Sequence, residues 1–550
     1  MQNRVLDFGQ EARTKLISGI NELVKAVAVT LGPKGRNVLI TDSIGVQHVT
    51  KDGVTVARAI RFKDKLKDAG VQLVKQASAQ SNEQAGDGTT TATVLAGEMI
   101  NQGHKLIVGG AAPIDLQRGM VNAAEIIYSS LKYQSSPVTT QEQIRRIATI
   151  STNGDEFLGN TIAELMDKVG IDGAVKVEES INSETSIQVV EGLEFNRGYL
   201  SPYFAPSGAF EGTDVSVLLM DCSLDTVPEV QGILEDAAKS KKQIVILAHD
   251  FNPQVINFFA HNVAKGILNA CLVKAPSFGI NRTYELNDIA VLTGATVYSK
   301  AIHKPSDLKV DLLGTIKNLN VTAKKTLIVG GGGTTEAIDK YVADIKANID
   351  AMEKANEELK EYDLELLRTR YSKLNNGVGI IRVGGSTEIE IKERRDRVDD
   401  AIAATRAASE EGVVVGGGTA LLNASIELKS YDTSKFANDD VRAGFNLVIA
   451  AITKPLISIS ENAGENGDVT INNIITQRTK DVEPNLNFGY DAYTGKYVDL
   501  VETGVIDPVK VTRLAVKHAV SVAGIVLTTE ATVTDDPEDL AASVNPNMTF

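Results

Sequence analysis

The order in which hydrophobic periods change along the chain is what most restricts its fold. From about residue 8 to 132, apolar side chains recur at helical spacing, as in Phe8, Ala12, Leu16, Ile20, Leu23 and Val27. Between about 191 and 377, short β-prone runs such as 215–220 and 244–248 alternate with helical stretches such as 230–239 and 253–267. After Arg394 the pattern is helical again, to about Thr529. Helical, then α/β, then helical suggests an insertion: one helical domain made from both chain ends, with another domain carried between them. A chain of 550 residues has room for three or four domains of about 150 residues each. The charged stretch 352–374 reads as one amphipathic helix, and the acidic end, 534–550, as a flexible tail.

Composition narrows the partners. Lys and Arg number 56 against 71 Asp and Glu, a formal charge of −15. An acidic surface repels nucleic acid and anionic lipid, so neither is an expected partner. Two cysteines, Cys222 and Cys271, are too few and too far apart for a disulfide scaffold, and read as reduced, semi-buried thiols. No stretch reaches the roughly 18 apolar residues expected of a membrane span. Residues 1–8 hold neither an apolar core nor a cleavage site. The expected location is cytoplasmic, or an organelle matrix if a transit peptide has been removed.

Three local clusters carry chemistry. In Gly86-Asp87-Gly88-Thr89-Thr90-Thr91 two glycines let successive amides point one way, a helix follows, and Asp87 offers a hard oxygen suited to Mg²⁺. Alone, this fits a phosphate nest or a glycine turn whose threonines cap the next helix equally well. Thr30-Leu31-Gly32-Pro33-Lys34-Gly35 is a Gly/Pro loop between a helix and a short strand, which alone reads best as a tight turn. Lys51-Asp52-Gly53 alone is an Asp-Gly turn. No Gly-x-x-x-x-Gly-Lys-Ser/Thr occurs, which excludes a P-loop enzyme. Gly330–Gly333 lacks full dinucleotide-fingerprint spacing and reads as a structural loop.

Taken together, 30–38, Lys51-Asp52-Gly53-Val54-Thr55-Val56-Ala57, 86–95, 398–408 with Glu410-Glu411-Gly412, 416–418 and Gly504-Val505-Ile506-Asp507-Pro508 resemble the group I chaperonins, the Hsp60-like family. Order and spacing match along essentially the whole chain. The resemblance implies a multidomain α+β chaperonin fold. A mainly helical equatorial domain would comprise 1–134 and 411–550, a small α/β intermediate domain 135–190 and 378–410, and an inserted α/β apical domain 191–377. Gly192 and Gly377 would be hinges.

For the site, the resemblance implies ATP with Mg²⁺ and K⁺. Thr30, Leu31, Gly32 and Pro33 would line the nucleotide, Asp87 would hold Mg²⁺, and Gly88, Thr89, Thr90 and Thr91 would cradle phosphates. The backbone carbonyls of Thr30 and Lys51 would hold K⁺. Gly417, Asp491, Ala492, Tyr493 and Asp507 would surround adenine and ribose, with Asp491 standing where relatives usually have Asn. Asp52 and Asp400 would be the catalytic carboxylates. Tyr199, Tyr203, Phe204, Leu234, Ile256 and Phe259 would grip unfolded proteins, although Gln231, Ala260 and His261 stand where larger apolar residues are usual. The implied assembly is a heptameric homo-oligomeric ring, with room for a co-chaperonin of the Hsp10 type. Ile457 and Asn466 replace charged residues at the expected ring–ring contact, which implies a weakened or single ring. A passive ring-shaped holdase, or a scaffold for one dedicated partner, is the alternative.

Overall fold

The computed structural model describes residues 4–41, 45, 47–152, 154–171, 173–180, 183–304, 307–355, 361–479 and 484–535. The chain divides into two units, 1–163 with 396–550, and 164–395.

The first unit is helical and is assembled from both chain ends. Helices Gly9–Ala28, Lys65–Ala85, Thr89–Val108 and Pro113–Gln134 pack with Asp439–Ala451 and Val509–Thr528 around one apolar core. Each presents an apolar stripe, which is why periodicity located the first three closely. Among the described residues, four two-stranded ribbons decorate the bundle. Arg4–Phe8 pairs antiparallel with Ala531–Asp535, and Val38–Thr41 with Gln47–Thr50. Val413–Val415 pairs with Ile506–Pro508, and Phe488–Asp491 with Lys496–Asp499. The start of the expected tail is thus a strand, anchored further by Arg13, whose guanidinium bonds Glu530 at 2.6 Å; 536–550 lie outside the described residues.

One further expectation needs correction. Two helical stretches, Asp439–Asn462 and Val509–Thr528, are long and apolar enough to cross a membrane by length and composition. Most of each apolar window is buried, as in a core helix. Of the charged stretch 352–374, residues 352–355 and 361–374 are helical, and 356–360 lie outside the described residues. The described parts belong to helix Thr335–Ala355 and to a second helical segment, Glu361–Asn376. The second helix is pinned by Arg370, buried and paired bidentately with Asp288 at 2.9 and 2.6 Å, with Tyr341 Oη 3.0 Å from the guanidinium.

Among the described residues, the second unit carries two sheets. The larger runs Gly192–Phe195, Thr326–Gly331, Gly314–Val321, Phe210–Met220, Ile244–Ala248, Ala270–Lys274, with Val297–Tyr298 also on Phe210–Met220. The first half is antiparallel and the second parallel. Both faces of Ile244–Ala248 are buried, as a central parallel strand requires. Cys271 lies opposite Val245 in this sheet, and Cys222 is also a buried free thiol. The smaller sheet has Val378–Val383 between Ala174–Glu179 and Ser186–Val190. Gly192 and Gly377 adjoin it: methyls there would lie 2.6 Å from Val378 Cγ2 and 2.3 Å from Val190 O.

Candidate functional site

Four carboxylates from distant stretches meet in the first unit. Asp52 is the N-cap of helix Gly53–Ala59, accepting from Val54 N at 3.0 Å, Thr55 N at 2.8 Å and Thr55 Oγ1 at 2.6 Å. Asp87 sits between Gly86 and Gly88, whose φ values of 71° and 86° are those of left-handed turns. That double turn feeds straight into helix Thr89–Val108, which has no side-chain cap on its first amides. Asp400 lies along helix Glu388–Glu411. Asp507 stands opposite Val414 in the short ribbon, with Oδ1 3.1 Å from where a methyl on Gly416 would lie.

Their charges are coupled. Lost hydration raises the Asp87 carboxyl, a bond from its neighbour Gly88 N at 2.5 Å opposes that, and Asp52 adds repulsion. Asp400 is pushed up to about 8, first by lost hydration, then by Asp87 and Asp52. Asp507 is pushed up to about 7 by lost hydration and then by Asp87. Asp87 and Asp400 are nonetheless exposed residues. The two facts agree if the carboxylates line a recess: protein crowds them on most sides, while one side stays open to a ligand. Mutual repulsion of this kind is what a bound cation relieves.

A cradle of loops adjoins them. A methyl on Gly53 would lie 2.0 Å from Thr90 Oγ1 and 3.4 Å from Thr30 Oγ1, so the three expected loops touch. Lys51 Nζ ties two of them by donating to Pro33 O at 3.1 Å. Thr30 Oγ1 is turned to Val27 O at 2.8 Å, whereas the buried Thr89 hydroxyl has no partner. An orphaned donor, uncapped helical amides and crowded carboxylates fit an anion with its counter-cation. Among the described residues no group of three or more His, Cys, Asp or Glu could cage a metal. Asp87 is a hard oxygen donor of the kind Mg²⁺ takes, and Mg²⁺ is commonly held by only one or two protein carboxylates. The carbonyls of Thr30 and Lys51, expected around K⁺, belong to the two loops tied by Lys51.

The expected base side gathers around Gly417. A methyl on Gly417 would lie 3.9 Å from Tyr490 O and 3.8 Å from Leu500 Cδ1, beside the turn 491–495. The Asp491 carboxylate is used inside that turn, accepting from Tyr493 N at 2.9 Å and Thr494 Oγ1 at 2.6 Å. Ala492 is buried, and the Tyr493 ring is 75% exposed. Among the described residues, no hydrogen bond joins 491–493 to the carboxylate cluster.

Sequence reasoning missed three supports. Ser81 is buried behind the cradle, its hydroxyl donating to Asp87 O at 3.3 Å. Asn462 holds the Thr30 loop by donating to Ala28 O at 2.8 Å and Leu31 O at 2.9 Å. Thr419 follows Gly418, again a left-handed N-cap, and again has a buried hydroxyl without a partner. The signal for Thr419 was available: glycine pair then threonine, as at Gly88-Thr89.

In the second unit, the six residues expected to face unfolded protein do not share one environment. Phe204, Leu234 and Phe259 are buried in the core. Tyr203 is 65% exposed, and Tyr199 and Ile256 are half-buried. Phe258, not Phe259, turns outward on helix Pro253–Ala264, because neighbouring helical residues point about 100° apart. Gln231 and His261 are exposed, and Ala260 is buried. Ile457 and Asn466 serve local packing in the first unit. Asn466 caps helix Gly467–Arg478 through Val469 N at 3.1 Å, and a methyl on Gly467 would meet Ile457 Cγ2 at 2.6 Å.

Comparison with known proteins agrees with this architecture. The model of the TCP-1/cpn60 chaperonin family matches residues 23–537. The chain is also similar to the chaperonin gp146 from the bacteriophage EL 2 (Pseudomonas aeruginosa), solved in presence of ATP-BeFx. The TM-score is 0.69 at 23% identity, covering 97% of this chain and 99% of that one. At that identity the likeness is one of fold, multidomain α+β. With a family match over nearly its whole length, the chain belongs to the TCP-1/cpn60 chaperonin family.

Proposed function

We infer that the protein is an ATP-hydrolysing chaperonin of the group I type, working as one subunit of a homo-oligomeric, heptameric ring. The observation that carries this reading is the convergence of Asp52, Asp87, Asp400 and Asp507, from both chain ends, beside a glycine–threonine cradle with an unpartnered hydroxyl.

The cradle's amides and the hydroxyls of Thr89, Thr90 and Thr91 bind phosphate. Mg²⁺, when bound at Asp87, supplies charge neutralisation to the phosphates, and the carbonyls of Thr30 and Lys51 offer the K⁺ site. Asp52 and Asp400 orient the attacking water and accept its proton, which suits phosphoryl transfer, a reaction governed by positioning and charge. Asp507 holds ribose hydroxyls. Domains 1–134 with 411–550, 135–190 with 378–410, and 191–377 would act as ATP-binding, hinge and client-binding parts, working in the cytoplasm or an organelle matrix. Differential affinity of ATP for two domain arrangements then drives release of the client into the ring cavity. An Hsp10-type lid is a partner consistent with this cycle.

The burial of Phe204, Leu234 and Phe259 favours a second reading, in which the ring holds one dedicated partner with little turnover. One experiment separates them. Asp400→Ala should abolish ATP hydrolysis while leaving ATP binding within a few-fold, and should stop ATP-dependent refolding of a denatured enzyme by the wild type. Wild-type protein that binds ATP but never turns it over would overturn the first reading and favour the second.

A further inference from the structure

Three helices of the first unit, Gly9–Ala28, Thr89–Val108 and Lys454–Asn462, leave a cleft of about 290 Å³ between them. At about 30 Å³ per liquid water, this is space for a small solute with its hydration, not for one structural water. Lys25 and Lys454 both line it. Among the described residues neither ammonium has an ion-pair partner, in a chain with 71 acidic and 56 basic residues. Ser458, also in the wall, is only 5% exposed, and its hydroxyl makes no hydrogen bond among the described residues. The hydroxyl oxygen itself is open to the cleft, where a ligand atom can reach it.

The remaining polar groups fit the same sign. Asn101 Nδ2 donates to Asn21 Oδ1 at 2.8 Å, which leaves the Asn21 amide group as a free donor at the wall. Glu98 is the opposing charge, and its Oε1 already accepts from Gln102 at 2.6 Å. Two lysines, a serine and an asparagine thus line the cleft together with one glutamate, whose carboxylate is partly satisfied. We propose that this cleft binds a small oxyanion of the phosphate class, gripped by Lys25 and Lys454 and oriented by Ser458 and Asn21. Multiple donors around a flexible pair of lysines match a multi-oxygen anion better than a monovalent halide.

The position gives the site leverage. Helix Gly9–Ala28 runs into the Thr30 loop, Thr89–Val108 begins at the cradle, and Asn462 of the third helix holds Ala28 O and Leu31 O. An anion that ties these helices together biases the loops they carry. This coupling rests on the nucleotide reading above; the binding itself does not.

The test is calorimetric titration of inorganic pyrophosphate into the full chain and into the double variant Lys25→Gln/Lys454→Gln. Folding of the variant is checked by its thermal midpoint. Wild type should bind, and the double variant should bind at least about tenfold more weakly, since each lost charge-assisted contact is worth that much. Ser458→Ala should weaken binding by a smaller factor. Sulfate should compete and chloride should not. Failure of wild type to bind at millimolar pyrophosphate overturns the proposal. So does equal binding by the double variant, which would send the anion to the glycine–threonine cradle. A separate ATP titration of both proteins judges the nucleotide reading on its own.

Discussion

Asp400 carries the clearest cost of the site at the scale of one residue. Its carboxyl is pushed up to about 8 by lost hydration and by the neighbouring Asp87 and Asp52, against about 3.9 in an unfolded chain. Below about pH 4 both states hold the proton and no penalty exists. Between about 4 and 8 the unfolded chain has released its proton while the folded chain keeps it, so stability falls as pH rises, and the penalty is complete above 8. Removing the charge should relieve it. In the ligand-free chain, Asp400→Asn should raise the thermal midpoint at pH 8.5, by on the order of a few degrees, and leave it nearly unchanged at pH 4.5. Calorimetric scans at both values check this, and an equal shift at the two pH values would show the effect to be packing. A cation at Asp87 acts on the same repulsion, so Mg-nucleotide should narrow the difference between variant and wild type at pH 8.5.

Among elements, the helix that carries Asp400 depends on one glycine in a different segment. A methyl on Gly86 would lie 1.9 Å from Ala403 Cβ on helix Glu388–Glu411, and Gly86 has φ of 71°. Gly86→Ala therefore strains the turn and lifts the helix, taking Asp400 with it. ATP turnover should fall about tenfold or more, since small misplacements of a reacting group are costly, while ATP affinity changes far less. Steady-state hydrolysis set against equilibrium binding checks the split, and an equal loss in both would place the damage in the cradle itself. Such elements differed in how far the sequence revealed them. Helices Gly9–Ala28 and Lys65–Ala85 were legible because long amphipathic periods are local signals. The strand Arg4–Phe8 was not: five residues without alternation find their partner, Ala531–Asp535, at the other end of the chain. Period alone also cannot say which of Phe258 and Phe259 faces inward. The loops of the site were legible as motifs, but their meeting came from resemblance, since no local rule links Asp52 to Asp400. Ser81 and Asn462 stayed silent because a polar residue within a helix reads the same whether it supports a loop or faces water.

For the whole molecule, chain order and folding independence follow from where each core draws its residues. The largest apolar cluster of the second unit runs from Leu193 to Leu374, with no member outside that span. The core of the first unit needs residues between Ile17 and Leu131 together with residues between Val414 and Leu527. Helix Val509–Thr528, apolar enough to pass for a membrane segment, is buried only because helices from the other chain end cover it. An inserted domain with a closed core should fold when cut out, whereas half of a discontinuous core should not. A fragment of residues 191–377 is therefore expected to unfold in urea with one cooperative transition by circular dichroism. A fragment of residues 1–163 exposes the faces that Asp439–Ala451 and Val509–Thr528 normally cover, and should show a broad, non-cooperative change with strong binding of a hydrophobic dye. Mixing it with a fragment of residues 396–550 should sharpen the transition, because the missing half of the core is restored. A sharp transition for residues 1–163 alone would mean that the helical unit is organised from its first half, with the distal helices added to a finished core.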